Sequence, residues 1–344
     1  MLDMPALVLA ASFLSQAPQL DVRPAPPSRS SAPPAAVTAT ATRVSVPPTI
    51  DGRPNDETWA AAQVISDFRQ FEPIEDAAPS FRTEARIAYD SRNLYVLVRA
   101  FDDAPEQIFS FLSRRDVGTP SDQIHVMIDS YLDRRTGYRF TVNPAGVKRD
   151  VYLYDDGRED LSWDAVWDVA THVDSTGWSA EFRIPLSQLR YPEAEEHRFG
   201  LAIWRQVARS NERISWPLYR RQGTGFVSQF GTLDGLRGLT AARRLELMPY
   251  VVERNGSRAL GGGRFGRQDR VSVGADVKIG LTSNLTVDAT MNPDFGQVEA
   301  DPAVLNLGAF EQFFAERRPF FLEGQGIFSF NMNCNNGNCT GLFY

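Results

Sequence analysis

Trp178-Ser-Ala-Glu-Phe-Arg-Ile184 alternates without a break. Trp178, Ala180, Phe182 and Ile184 fall on one side, Ser179, Glu181 and Arg183 on the other. Successive side chains of an extended chain point to opposite faces, so this pattern is that of a strand with one face on a core. Working outward, the same period returns. Gln123–Asp129 puts Ile124, Val126 and Ile128 on one face, and Tyr138–Asn143 alternates cleanly. Phe199–Gln206 and Ile214–Leu218 continue the series. Asn93–Phe101 is β-branched and aromatic on both faces, as in a strand with neighbours on both sides. Turn sequences separate the runs at Asp90–Asn93, Arg135–Gly137 and Asp174–Gly177. Many short strands at this spacing predict an all-β fold, an antiparallel β-sandwich over residues 47–240. Its first strand is expected at Val44–Ile50, with one helical turn in Ile184–Arg190.

The flanks read differently. Pro5–Leu14 is an apolar run and Ser15-Gln-Ala17 fits a small-x-small cleavage site, so residues 1–17 are expected to be a signal peptide. Met1-Leu-Asp-Met4 lacks the usual Lys or Arg. Residues 18–46, rich in Pro, Ala, Ser and Thr, read as an extended linker. Beyond Arg243, Val271–Gly280 and Leu285–Met291 alternate apolar with polar or Gly residues, the pattern of membrane-barrel strands or of an amphipathic hairpin.

The chain has 344 residues, 42% of them hydrophobic, and a net charge of −7. An acidic chain repels phosphate backbones, which argues against nucleic acid as a partner. No apolar stretch is long enough for a spanning helix. The two cysteines, Cys334 and Cys339, are expected to form a small disulfide in an oxidising compartment. His125, His172 and His197 are scattered, and no nucleophile elbow or phosphate loop occurs.

Several segments in order resemble the family 9 carbohydrate-binding modules. They are Thr49–Trp59, Ala85–Asp102, Ser121–Asp129, Gly177–Pro185 and Ser228–Gly235. Farther on, Met291–Leu307 and Phe313–Gly324 resemble a bacterial envelope family of unknown function, in which such a sandwich precedes a barrel-like region. That resemblance implies an exported protein of the outer membrane or periplasm. It also implies that residues 243–344 are the first part of a barrel-like domain. Members of that family continue past a segment like Leu342-Phe-Tyr344, so the resemblance implies a truncated sequence, with too few strands for the roughly eight of the smallest membrane barrels.

The first resemblance implies a polysaccharide or oligosaccharide partner. Modules of that family clamp sugar between two tryptophans, and the aligned positions here are Thr119 and Thr224. Replacement aromatics are Trp163, Trp167, Trp204 and Trp216, of which Trp204, like Trp178, reads better as core. Trp163 and Trp167 lie in an acidic loop stretch that suits a sugar platform. Asp155, Asp156 and Asp160, with Glu159 among them, form an acidic cluster whose oxygens suit a structural calcium ion or a solvated turn. Three functions stay open: a non-catalytic carbohydrate-binding module, a structural sandwich docked on an outer-membrane barrel, and a glycoside hydrolase. The last needs a carboxylate pair that sequence spacing does not reveal.

Overall fold

A computed structural model describes residues 37–239, 245–261, 264–281, 285–292, 331–335 and 338–341. The chain enters through β1 (Thr38–Thr40), β2 (Thr42–Arg43) and a one-turn helix α1 (Glu57–Ala61). β3 (Arg69–Glu72), β4 (Thr83–Tyr89), β5 (Asn93–Phe101), β6 (Gln123–Asp129) and β7 (Gly137–Val142) follow. Next come β8 (Lys148–Tyr154), β9 (Arg158–Asp160), β10 (Asp168–Asp174), β11 (Gly177–Pro185) and β12 (Glu196–Val207). β13 (Glu212–Trp216) and β14 (Gly231–Arg237) complete two sheets. The larger runs β1-β14-β12-β6-β7-β8-β9, with β13 and β3 branching from β12. The smaller runs β10-β11-β5-β4-β2.

The expected sandwich is present, and alternation explains its core. Ile124, Val126 and Ile128 of β6 and Phe199, Leu201 and Ile203 of β12 meet Val96, Val98, Ala180 and Phe182 of the smaller sheet in one buried cluster. Full burial of each such side chain contributes about 1.5–3 kcal/mol, so this layer dominates the stability. β5 is apolar on its second face because Trp59 of α1 covers Tyr95 and Leu97 there.

The chain start departs from expectation. Val44–Ile50 forms no strand, whereas Thr38–Arg43, expected as linker, is paired. β1 lies parallel to β14 and β2 parallel to β4, so this segment edges both sheets. Its β-branched threonines favour an extended chain, and Ala39 and Ala41 point into the core. The expected helical turn appears as a 3₁₀ turn at Leu186–Gln188. Residues 1–36, holding the expected signal peptide and most of the expected linker, lie outside the described residues.

Beyond the sandwich, β15 (Leu245–Gly261), β16 (Arg264–Gly280) and β17 (Thr286–Met291) form an antiparallel meander. Its register aligns Leu247 with Val277, Val277 with Ala289, Val251 with Val273, and Ala275 with Met291. Over residues 245–251 and their partners one face is therefore apolar, while Ser272, Asp276, Lys278 and Thr290 share the other. β18 (Asn331–Asn335) and β19 (Asn338–Gly341) form a separate hairpin. Cys334 and Cys339 lie on its two strands, and their side chains lie outside the described residues, as do residues 293–330.

Candidate ligand-binding face

The outward face of the larger sheet carries the side chains that alternate against its core. On β12 these are Ala202, Trp204 and Gln206; on β6 they are Gln123, His125 and Met127. Part of this face is apolar. Met127, Val151, Leu153 and Ala202 are covered by Val227 and Phe230 from the segment between β13 and β14. The remainder is an open groove of about 260 Å³.

Strand register builds this groove in rows. Ser215, Trp204, His125, Thr141 and Arg149 stand side by side across β13, β12, β6, β7 and β8. Trp204 and Arg149 are thus three strand spacings apart, roughly 14 Å. The next row holds Arg213, Gln206 and Gln123. Arg139 and Glu159 border the groove on the side of β7 and β9.

Trp204 is half-buried, its indole set among Phe71, Tyr219 and Phe226 at ring separations of 4.5, 5.1 and 5.2 Å. His125 meets its edge at 6.4 Å. Burial, then the charges of Arg139, Arg213 and Arg149, hold the His125 imidazole well below its ordinary pKa, so it is neutral. One ring nitrogen then donates and the other accepts, with Nδ1 2.9 Å from Thr141 Oγ1. Gln123 and Gln206 add amide donors and acceptors. Among the described residues Glu159 is the one carboxylate lining the groove, and Arg139 holds it through two 2.9 Å bonds. An aromatic face ringed by amides and guanidinium groups suits the binding of a polar ligand with an apolar side. It does not supply the two carboxylates of glycoside hydrolysis.

The smaller sheet has a groove of about 280 Å³ beside Arg86, Leu97 and Phe101. Its one aromatic, Phe101, already has the Arg82 guanidinium 3.9 Å above its ring, and Arg99 is paired with Asp174 at 2.6 Å.

The tryptophans expected to form a sugar platform face the interior instead. Trp163, Trp167 and Trp216 are buried in the main core. Trp163 packs on Tyr138 at 4.9 Å, and Trp167 stacks parallel to Phe182 at 5.8 Å. The loop before β10 folds inward and closes the core, so these rings have no free face for a sugar. Trp178 is buried as expected. Trp204, read as core, is the tryptophan on the outer face. The phase of Phe199–Gln206 carried the signal, because Trp204 alternates with Ile203 and shares a side with Gln206.

The acidic cluster is also dispersed. Asp155 pairs with Arg135 at 2.7 Å. Asp156 accepts from the backbone of Phe226 and Ser228 at 3.0 and 2.8 Å, and Asp160 from Ser162 at 2.9 Å. Each carboxylate has its own protein partner, and among the described residues no group of three or more acidic, His or Cys side chains could hold a metal ion. Thr119 and Thr224 put no ring near the groove. Thr119 Oγ1 bonds Ser121, and the Thr224 carbonyl accepts from Ser228.

The fold is a β-sandwich with an open groove on the outer face of its larger sheet. Residues 50–220 match the family described as Carbohydrate family 9 binding domain-like, and residues 241–332 match a Domain of unknown function (DUF5916). The chain thus matches the first model over its sandwich and the second beyond it. No curated protein matches the chain. Solved structures similar to it include a family 9 carbohydrate-binding module from Caldicellulosiruptor kristjanssonii in complex with glucose. It is 18% identical, with 58% of this chain and 95% of that chain covered and a TM-score of 0.43. A family 9 carbohydrate-binding module from that organism in complex with cellotriose is 20% identical, with 59% and 95% covered and a TM-score of 0.43.

Proposed function

We propose that the sandwich is a non-catalytic carbohydrate-binding domain whose ligand lies against Trp204 on the outer face of the larger sheet. The observation that carries this reading is a half-exposed indole within a groove of amides, guanidinium groups and a neutral imidazole. An indole covers the C–H side of a pyranose while hydrogen-bonding groups around it read the hydroxyls. The match of residues 50–220 to a family named for carbohydrate binding supports the same reading. It replaces the loop-tryptophan platform with a strand-borne one. Affinity electrophoresis and titration calorimetry against a panel of polysaccharides test it. Binding that is lost in Trp204→Ala, with the fold intact by circular dichroism, is the expected result. Retention of full affinity by that variant would overturn the placement.

A second role is favoured by the meander. Its polar face meets the sandwich, where Gln188 Nε2 donates to Glu246 Oε1 at 2.9 Å and Arg190 donates to Thr286 Oγ1 at 2.9 Å. Its apolar face is open, with Leu245, Val251 and Met291 each about 70% exposed. This disposition supports an envelope protein in which the sandwich docks on the polar side of membrane-facing strands. Fractionation of the native host tests it. Recovery in the outer-membrane fraction is expected; recovery in the cytosol would exclude it.

A further inference from the structure

We infer that the groove takes an acidic saccharide, a hexuronate whose carboxylate is held by Arg149 while its ring system extends toward Trp204. This rests on the carbohydrate-binding reading above and names the substrate class of the same site.

Four arginines line the groove: Arg139, Arg149, Arg205 and Arg213. Arg205 points to the inner side of the sheet, where its guanidinium donates to the Phe101 carbonyl at 2.8 Å and to Thr83 Oγ1 at 3.1 Å. Arg139 is neutralised by Glu159 at 2.9 Å, and Arg213 by Glu72 at 3.2 Å. Arg149 is half-buried and has neither an ion pair nor a side-chain hydrogen bond among the described residues. A partly desolvated cation without a partner is costly, and an arriving anion relieves that cost. The local excess is positive although the chain as a whole carries −7. Charge placed inside a concave site, not net charge, governs what enters it.

Geometry selects a carboxylate. Arg149 is a planar fork matched to two carboxylate oxygens. The Thr141 hydroxyl and the neutral His125 ring stand between it and Trp204 in one cross-strand row. The row thus offers in order an anion site, two hydrogen-bonding groups and an aromatic face. A short oligouronate spanning roughly 14 Å presents the matching series of carboxylate, hydroxyls and apolar ring face. Glu159 and Glu72 meanwhile keep the two other outward arginines occupied, which leaves room for one anion and not a dense run of them.

The test is titration calorimetry on the full chain with trisaccharides of galacturonate, mannuronate and guluronate, each beside its methyl ester, together with cellotriose and inorganic sulfate. At least one uronate is expected to bind tenfold or more tighter than its own ester. Arg149→Gln should erase that preference, bringing the affinities for acid and ester to within about twofold of each other. Arg149→Lys should keep part of the preference, since it retains charge without the fork. Trp204→Ala should weaken acid and ester alike. If some sugar binds but no uronate outbinds its ester, or if the preference survives in Arg149→Gln, the acidic assignment fails and carbohydrate binding stands. If no sugar binds at all, both fail. Sulfate competing as well as the uronate would reduce the site to a general anion site and overturn the hexuronate.

Discussion

Trp59 Nε1 donates to Glu181 Oε1 at 2.7 Å, and neither residue is reached by solvent. This bond ties the segment around α1 to β11 across the outer side of the smaller sheet. Glu181 Oε2 also accepts from the backbone of Gly52 at 2.7 Å and Asp51 at 3.0 Å. Gly52 is required there. Its φ is +83°, and a Cβ would lie 2.6 Å from the Thr171 carbonyl carbon. Trp59→Ala is expected to destabilise by about 3–5 kcal/mol, the range for a buried aromatic. Trp59→Phe keeps a ring but leaves a buried carboxylate short of a donor, a loss of about 1–3 kcal/mol for the bond. Urea midpoints of the two variants check this, and an unchanged midpoint in Trp59→Ala would refute the placement.

Asp129 gives the fold a measurable pH response. It is fully buried on β6, and burial pushes its carboxyl from 3.8 up to about 6, against hydrogen bonds from the Arg134 and Asp133 backbone. A raised carboxyl binds its proton more tightly in the folded state than in the unfolded one. Between about pH 4 and 6 it therefore makes stability rise as pH falls, by on the order of 2–3 kcal/mol across the window. Asp129→Asn removes this dependence. Asp122 and Glu181 are also shifted up by burial, so the informative quantity is wild type minus variant at each pH. A difference that stays flat from pH 4 to pH 7 would contradict the shift.

How far the sequence disclosed this molecule depends on the range of the interaction. Strand faces were legible because alternation is local. Ile124, Val126 and Ile128 turned inward as their spacing required, and the same rule marks Trp204 as outward. Trp163 and Trp167 were not legible. Their inward fold depends on contacts with Phe140 and Phe182, remote in sequence. The threonine-alanine alternation of Thr38–Arg43 was a strand signal hidden in a composition that otherwise reads as linker. The lone charge of Arg149 emerges only from knowing that Glu159 and Glu72 are already engaged.

The meander should govern solution behaviour. Its apolar face exposes Leu247 and Val273 by more than 60% each, and water-exposed strips of this size promote association. A chain ending at Leu239 keeps both sheets of the sandwich and loses that face. It is expected to be more soluble and more monomeric than the full chain by size-exclusion chromatography. Limited proteolysis should cut the full chain beyond Leu239 before it cuts the sandwich. A full chain that runs as a compact monomer, with its C-terminal part as resistant as the sandwich, would show that the apolar face is covered.

Asp156 is expected to shape the groove from outside it. Oδ1 accepts from the backbone of Phe226 and Ser228, and Oδ2 from the Ser228 hydroxyl at 2.9 Å. These bonds hold the carboxyl below its usual value although burial opposes them. Gly225 permits the approach: its φ is +76°, and a Cβ would stand 1.9 Å from Asp156 Oδ2. The segment so anchored carries Phe226, which meets Trp204 edge to face at 5.2 Å. Asp156→Ala should therefore cost about 1–3 kcal/mol and free the Trp204 ring to move. Because the carboxyl is depressed, its contribution is present above pH 3.8 and is lost as pH falls below that value. Melting curves in chelator and in millimolar calcium should coincide, since protein donors already engage both carboxylate oxygens. Tryptophan fluorescence reports the ring directly. A red shift in Asp156→Ala is the expected outcome, and a spectrum identical to wild type would mean that Phe226 holds its place without the anchor.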